Sequence, residues 1–171
     1  RLIYNHCDPD HLQDLLSNAS AAANRWIITD GVFSMDGNLA PLPEILDLAN
    51  RFDAYVIIDD AHGFGVLGTN GGGITSHFSL TDSRLIHVGT LSKAVGGLGG
   101  YVAGPQVLID LLINQARSFI FTTGLPPPVI ATAIAAIDLI AISPERRQRL
   151  LNHAEYLRHQ LRRLGLQIPA G

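Results

Sequence analysis

Apolar residues fall along this chain in two alternating patterns. Short runs rich in β-branched side chains predict strands at Arg25-Trp26-Ile27-Ile28-Thr29-Asp30, Tyr55 to Asp59, Leu85 to Val88 and Gly100 to Gly104. Two weaker runs, Leu2-Ile3-Tyr4 and Ser118 to Thr122, predict further short strands. Between the runs, apolar residues recur at helical spacing. Leu12, Leu15 and Leu16 mark a helix opened by Asp8-Pro9-Asp10 and ending near Asn18. Leu42, Ile45, Leu46 and Ala49 mark a second, from Pro41 to about Phe52. Pro105 opens a third, with Val107, Leu108, Leu111 and Leu112 as its stripe. Val129 to Ile142 is a long apolar helix behind three prolines, and Ser143-Pro144 opens a last one to about Leu164. Gly68-Thr69-Asn70-Gly71-Gly72-Gly73 reads as a flexible loop. This alternation predicts an α/β fold, a mostly parallel sheet covered by helices.

Composition narrows the class. With 171 residues, 47% hydrophobic and 16% charged, the chain has a core of domain size and is not disordered. Its net charge of -3 and lack of a basic stripe give no sign of a nucleic-acid partner. The single cysteine, Cys7, cannot form an internal disulfide, and before Asp8-Pro9 it reads as an incidental residue rather than a nucleophile. The opening residues carry no apolar signal segment, and Val129 to Ile142 is short for a membrane span and holds Asp138. The expectation is a cytoplasmic protein with no membrane partner. The last helix carries Arg146, Arg147, Arg149, Arg158, Arg162 and Arg163, read as a solvated face.

Two stretches carry chemistry. Gly89-Thr90-Leu91-Ser92-Lys93 follows a strand and runs into Gly96 to Gly100, which delivers one amine and two hydroxyls to the C-terminal edge of the sheet. Open α/β sheets bind ligands at that edge. An amine there can bond a carbonyl substrate or pyridoxal phosphate, and hydroxyls can hold phosphate oxygens. Asp59-Asp60-Ala61-His62-Gly63 ends the preceding strand at the same edge. Taken alone, two carboxylates at a strand end serve equally as a metal site or a solvated turn. The remaining histidines, His6, His11, His77, His87, His153 and His159, show no partnered spacing.

Asp30-Gly31-Val32-Phe33-Ser34-Met35-Asp36-Gly37, Asp59 to Gly63, Gly89 to Lys93, Gly99-Gly100-Tyr101 and Phe121-Thr122-Thr123-Gly124-Leu125-Pro126-Pro127 occur in this order. Together they resemble the α-oxoamine synthases, fold-type-I pyridoxal phosphate enzymes that condense an amino acid with an acyl thioester and release carbon dioxide. The resemblance implies pyridoxal 5'-phosphate as cofactor, with no metal. Lys93 would bond the cofactor and act as base, Asp59 would face the ring nitrogen, and His62 the ring oxygen. Thr90 would hold the phosphate, and Ser34 would hydrogen-bond around the cofactor. Thr122 and Thr123 would reach the phosphate in the partner subunit of a homodimer with a shared active site. Asp36 and Asp60 would be structural or supporting.

The wording of Thr90 to Ala94 and of Gly99 to Gly104 is closest to the branch that joins L-alanine to a pimeloyl thioester, on CoA or acyl carrier protein, in biotin synthesis. Branches using glycine with acetyl or succinyl thioesters, or serine with a long-chain one, stay open. A catalytically silent subunit also stays open, although such subunits tend to lack the lysine. A nucleotide-binding module is disfavoured, because Gly97 to Gly100 does not stand between a strand and a helix in the required way. Residues 1–143 would be part of the cofactor-binding large domain, and 144–171 a helix leading into a small domain outside this sequence. The family's glycine-rich phosphate contact, ring-stacking histidine and substrate-binding arginine have no counterpart here, so the chain is expected to be a fragment. Gly124 stands where the family more often has a hydroxyl residue.

Overall fold

The computed structural model describes residues 1–19 and 24–168. Helix α1 (Pro9–Asn18) starts where the sequence predicts, because the Asp8 carboxylate accepts the His11 amide at 2.9 Å and Pro9 fits the first turn. That bond, with a second from Asn5, holds the Asp8 carboxyl below its ordinary range. Strand β1 (Arg25–Asp30) is followed by α2 (Leu42–Arg51), then β2 (Ala54–Asp59), a short α3 (Ile74–His77) and β3 (Leu85–Thr90). After these come β4 (Gly100–Ala103), α4 (Gln106–Gln115), a helical turn α5 (Arg117–Ile120), α6 (Pro127–Ile142) and α7 (Pro144–Arg163).

The four strands form one sheet in the order β1-β2-β3-β4. The first three are parallel, in the register Ile28–Ile57–Ile86, and β4 returns antiparallel to β3. Register alternates the side chains between faces. One face presents Ile27, Val56 and Ile58 to Leu12 of α1 and to Leu42, Ile45 and Ala49 of α2, and this is the core. Every member of the predicted α2 stripe is buried. The other face of β1 and β2 carries Trp26 stacked on Tyr55 at 5.1 Å, beside Ile28, which is 66% exposed. On α4, Val107 and Leu111 are exposed, so its predicted stripe is only partly used.

Four expectations need correction. Leu2-Ile3-Tyr4 is not a strand. The chain turns at once into α1, with the Asp8 amide on the Asn5 carbonyl at 3.3 Å, which leaves three residues without a ladder to join. Ser118 to Thr122 is not a strand either. The Phe119 and Ile120 amides bond the Ala116 carbonyl at 2.9 Å, satisfying locally what no sheet edge is there to satisfy. The Gly68 to Gly73 loop is not loose. Gly65 donates to Gly71 at 2.8 Å, Gly73 to Leu67 at 3.1 Å, and Asn70 Oδ1 accepts from Gly72 N and Ser76 Oγ.

The last correction concerns the arginines. Arg147, on the first turns of α7, is only 7% exposed, and its guanidinium donates to the carbonyls of Ile140 and Thr69. It therefore joins α6, α7 and the glycine loop. Removing it leaves two part-buried carbonyls without this donor. Arg147→Ala should lower the unfolding free energy by on the order of 2 kcal/mol, and Arg147→Lys should restore little, since one ammonium cannot reproduce a planar fork. Urea unfolding of the three proteins checks this.

Candidate active site

Parallel pairing in register brings the C-terminal ends of β1, β2 and β3 to one edge. Asp30 pairs with Asp59, and Asp59 with Val88, two residues before Thr90. Asp59 and Thr90 consequently project from the same face of the sheet. Asp59 is exposed, and its Oδ1 accepts the Ala61 amide at 3.0 Å, which holds the carboxylate at the head of its turn.

The loop after β3 is built by its own hydrogen bonds. Thr90 Oγ1 lies 2.7 Å from Ser92 Oγ, donates to the Gly99 carbonyl at 3.2 Å and accepts the Ser92 amide at 3.2 Å. The Leu91 amide donates to Gly99 at 2.9 Å, Gly97 to the Leu91 carbonyl at 2.7 Å, and Gly96 to the Lys93 carbonyl at 3.0 Å. Lys93 thus stands exposed on a closed loop. His62, exposed in the turn after Asp59, lines with Lys93 a cleft of about 480 Å³ whose walls include Ala94, Ile140, Arg146 and Leu150. The structure brings Lys93 and His62 together in this cleft, and Asp59 and Thr90 together on one sheet face.

Asp59, Thr90, Ser34 and Thr123 do not line that cleft. Ser34 is exposed in a turn closed by the Gly37 amide on the Phe33 carbonyl at 2.8 Å. Thr122 and Thr123 are exposed between α5 and α6. Among the described residues there is no cluster of three or more His, Cys, Asp or Glu able to hold a metal. No single helix among them is long and apolar enough to cross a membrane.

Two groups here were given no catalytic or cofactor-binding role from sequence, where Asp60 was read as structural or supporting and Tyr101 only as part of the Gly99-Gly100-Tyr101 motif. Asp60 is 2% exposed, its Oδ2 accepts the Ile74 amide at 2.9 Å, and its Oδ1 has no hydrogen-bond partner among the described residues. Burial pushes its carboxyl up to about 6, against the Ile74 bond and with help from the charge of Asp59. Tyr101, edge-on to Phe64 at 5.5 Å, has its phenol pushed up to about 12 by burial, then by Asp60 and Asp59. The sequence signal for Asp60 was its place beside Asp59; for Tyr101 there was only the preceding glycine pair.

The chain belongs to the aminotransferase class I and II family, whose model matches residues 3–170. It is 49% identical over 166 residues to 8-amino-7-oxononanoate synthase 1 of Bacillus velezensis, covering 97% of this chain and 42% of that protein. Over 153 residues it is 53% identical to 8-amino-7-oxononanoate synthase of Ralstonia pickettii, covering 88% of this chain and 37% of that one. It also superposes on SPT solved with a PLP internal aldimine, with a TM-score of 0.90 and 33% identity over 96% of this chain and 41% of that one. The fold is thereby that of the fold-type-I enzymes. The chain spans about two fifths of the length of these curated relatives.

The buried Asp60 makes stability depend on pH. Its carboxyl holds a proton more tightly in the folded chain than in the unfolded one, where it titrates near 3.8. The folded state then binds more protons between pH 3.8 and about 6, and stability falls as pH rises through that window. The loss should be on the order of 3 kcal/mol, and Asp60→Asn should remove it. Urea midpoints measured from pH 4 to pH 7 for both proteins check the slope.

Proposed function

We propose that this chain is the cofactor-binding part of a cytoplasmic pyridoxal-phosphate-dependent α-oxoamine synthase. It would condense L-alanine with a pimeloyl thioester, carried on CoA or acyl carrier protein, and release carbon dioxide and 8-amino-7-oxononanoate. The observation that carries this is the common edge: Lys93 and His62 line one cleft, and Asp59 and Thr90, three residues before each in the same turn and loop, share one sheet face. The donor set suits the cofactor, since it offers a solvated amine, an anchored carboxylate, an imidazole, and a cluster of two hydroxyls with an amide. Identities of 49% and 53% to proteins named 8-amino-7-oxononanoate synthase support the alanine branch.

When bound, pyridoxal phosphate supplies an electron-withdrawing ring that acidifies the α-carbon of an attached amino acid. The residues of this chain do the rest. Asp59 would keep a proton on the ring nitrogen by charge pairing, and the Ala61 amide holds its carboxylate in place. His62 would hydrogen-bond the ring oxygen. Thr90 and Ser92, already oriented by each other at 2.7 Å, would offer hydroxyls to the phosphate, and Ser34 would support the cofactor from the loop after β1. Lys93 would hold the cofactor through its amine and, once the substrate's amino group has displaced it, would serve as the base for the α-proton.

A second subunit completes the reading. Thr122 and Thr123 are exposed beside Phe119 and Phe121, the latter 75% exposed. Apolar side chains so presented fit an interface. In the homodimer the two threonines would reach the partner's phosphate site.

Two experiments on the full-length protein test this. With pyridoxal phosphate it should show a long-wavelength absorption band that borohydride abolishes and Lys93→Ala lacks, and it should turn over alanine with a pimeloyl thioester. Turnover of glycine with acetyl-CoA but not alanine would move it to another branch, and a missing band in the wild type would make it a silent subunit. For the shared site, Lys93→Ala and Thr122→Val/Thr123→Val homodimers should each be nearly inactive, while mixed dimers regain activity. Mixed dimers that form yet stay as inactive as their parents would place the threonines outside the partner's site.

A further inference from the structure

The carboxylate of Asp60 sits in a cage that three separate segments build around it. Gly31 follows β1, Gly63 lies in the turn after β2, and Gly73 precedes α3; a Cβ at any of the three would overlap the Asp60 carboxylate. Gly73 also has φ of 82°, a conformation that L side chains resist. The backbone of Asp60 is as firmly placed. Its amide donates to Val88 of β3 at 2.9 Å, and its carbonyl accepts from Gly63 at 3.2 Å and Phe64 at 3.0 Å, which shapes the turn that carries His62.

The clamp itself needs only one oxygen. Oδ2 takes the Ile74 amide at 2.9 Å, and an asparagine could offer the same acceptor in the same volume. The charge is therefore a cost that the clamp does not require: Oδ1 is buried with no partner among the described residues. A buried charge retained without structural need has its effect on its neighbours. The ionisable groups coupled to it are Asp59, which precedes it, and Tyr101 of β4; Asp30 lies beside Asp59 in register, and His62 shares the turn. The cage segments at Gly31, Gly63 and Gly73–Ile74 add no ionisable side chain at the contact.

We propose that Asp60 is a positioning residue that supplies the second negative charge behind Asp59, reinforcing the proton on the cofactor's ring nitrogen while its clamp sets the Asp59–His62 turn. This rests on the pyridoxal phosphate reading above. Asp59 would touch the ring, and Asp60 would act through it.

The test uses full-length protein loaded with pyridoxal phosphate labelled with ¹⁵N in the ring, read by NMR across pH. In Asp60→Asn the ring nitrogen should lose its proton at a midpoint lower by about one pH unit than in the wild type. A merely structural clamp would leave that midpoint where it was, and an unchanged midpoint overturns the proposal. A second measurement needs no variant. In wild-type protein labelled with ¹³C at aspartate carboxyls, loading the cofactor should lower the Asp60 titration midpoint, since coupling between two sites is reciprocal. An Asp60 midpoint that does not move on loading overturns the proposal even where Asp60→Asn fails to fold. Failure of the wild type to bind the cofactor at all would instead sink the functional reading, which keeps the two outcomes apart.

Discussion

The parallel pairing of β1, β2 and β3 in register is the constraint on which the rest of this structure depends. Ile28, Ile57 and Ile86 stand side by side, so each strand ends within a residue or two of its neighbour. A slip of one residue would turn Asp59 to the covered face and Val56 to the open one. The register is held by the core, where Ile27, Val56 and Ile58 are buried against α1 and α2. Hydrophobic burial on one face thus decides which side chains the other face presents at its edge.

Two buried charged groups then tie the edge loops to the frame. Asp60 anchors the turn after β2 to the start of α3, and Arg147 anchors the glycine loop to α6 and α7. Both use charged groups where neutral ones would be cheaper to bury, and each binds backbone rather than an opposite charge. Directional hydrogen bonds to main chain hold glycine-rich segments that lack side chains to pack. The loop carrying Lys93 is organised differently, by bonds among Thr90, Ser92, Gly97 and Gly99 with no buried charge. The amine therefore stays solvated while its loop is fixed, a combination suited to bonding and releasing a carbonyl carbon.

Much of the surface is apolar. Trp26 and Ile28 on β1, Val107 on α4 and Phe121 after α5 are all exposed. The chain spans about two fifths of its relatives. The same exposure accounts for the weak burial along α4, whose stripe was legible in the sequence but meets few partners here.

Most of the architecture was legible from the period of the apolar residues. The strands at Arg25, Ala54 and Leu85, the helix caps at Asp8 and the prolines at helix starts depend on local chemistry, and local chemistry is written in the sequence. The candidate site residues were legible for a related reason: Asp59 and Thr90 end strands, His62 and Lys93 follow three residues on, and strand ends converge. Tertiary structure alone decided the rest. Whether Leu2-Ile3-Tyr4 or Ser118 to Thr122 became strands depended on a free sheet edge, which no short run can specify about itself. Whether Arg147 was solvated depended on carbonyls seven and seventy-eight residues away. Whether Asp60 was a spare carboxylate or a caged one depended on Gly31, Gly63 and Gly73, three glycines brought together only because β1, β2 and α3 meet around it.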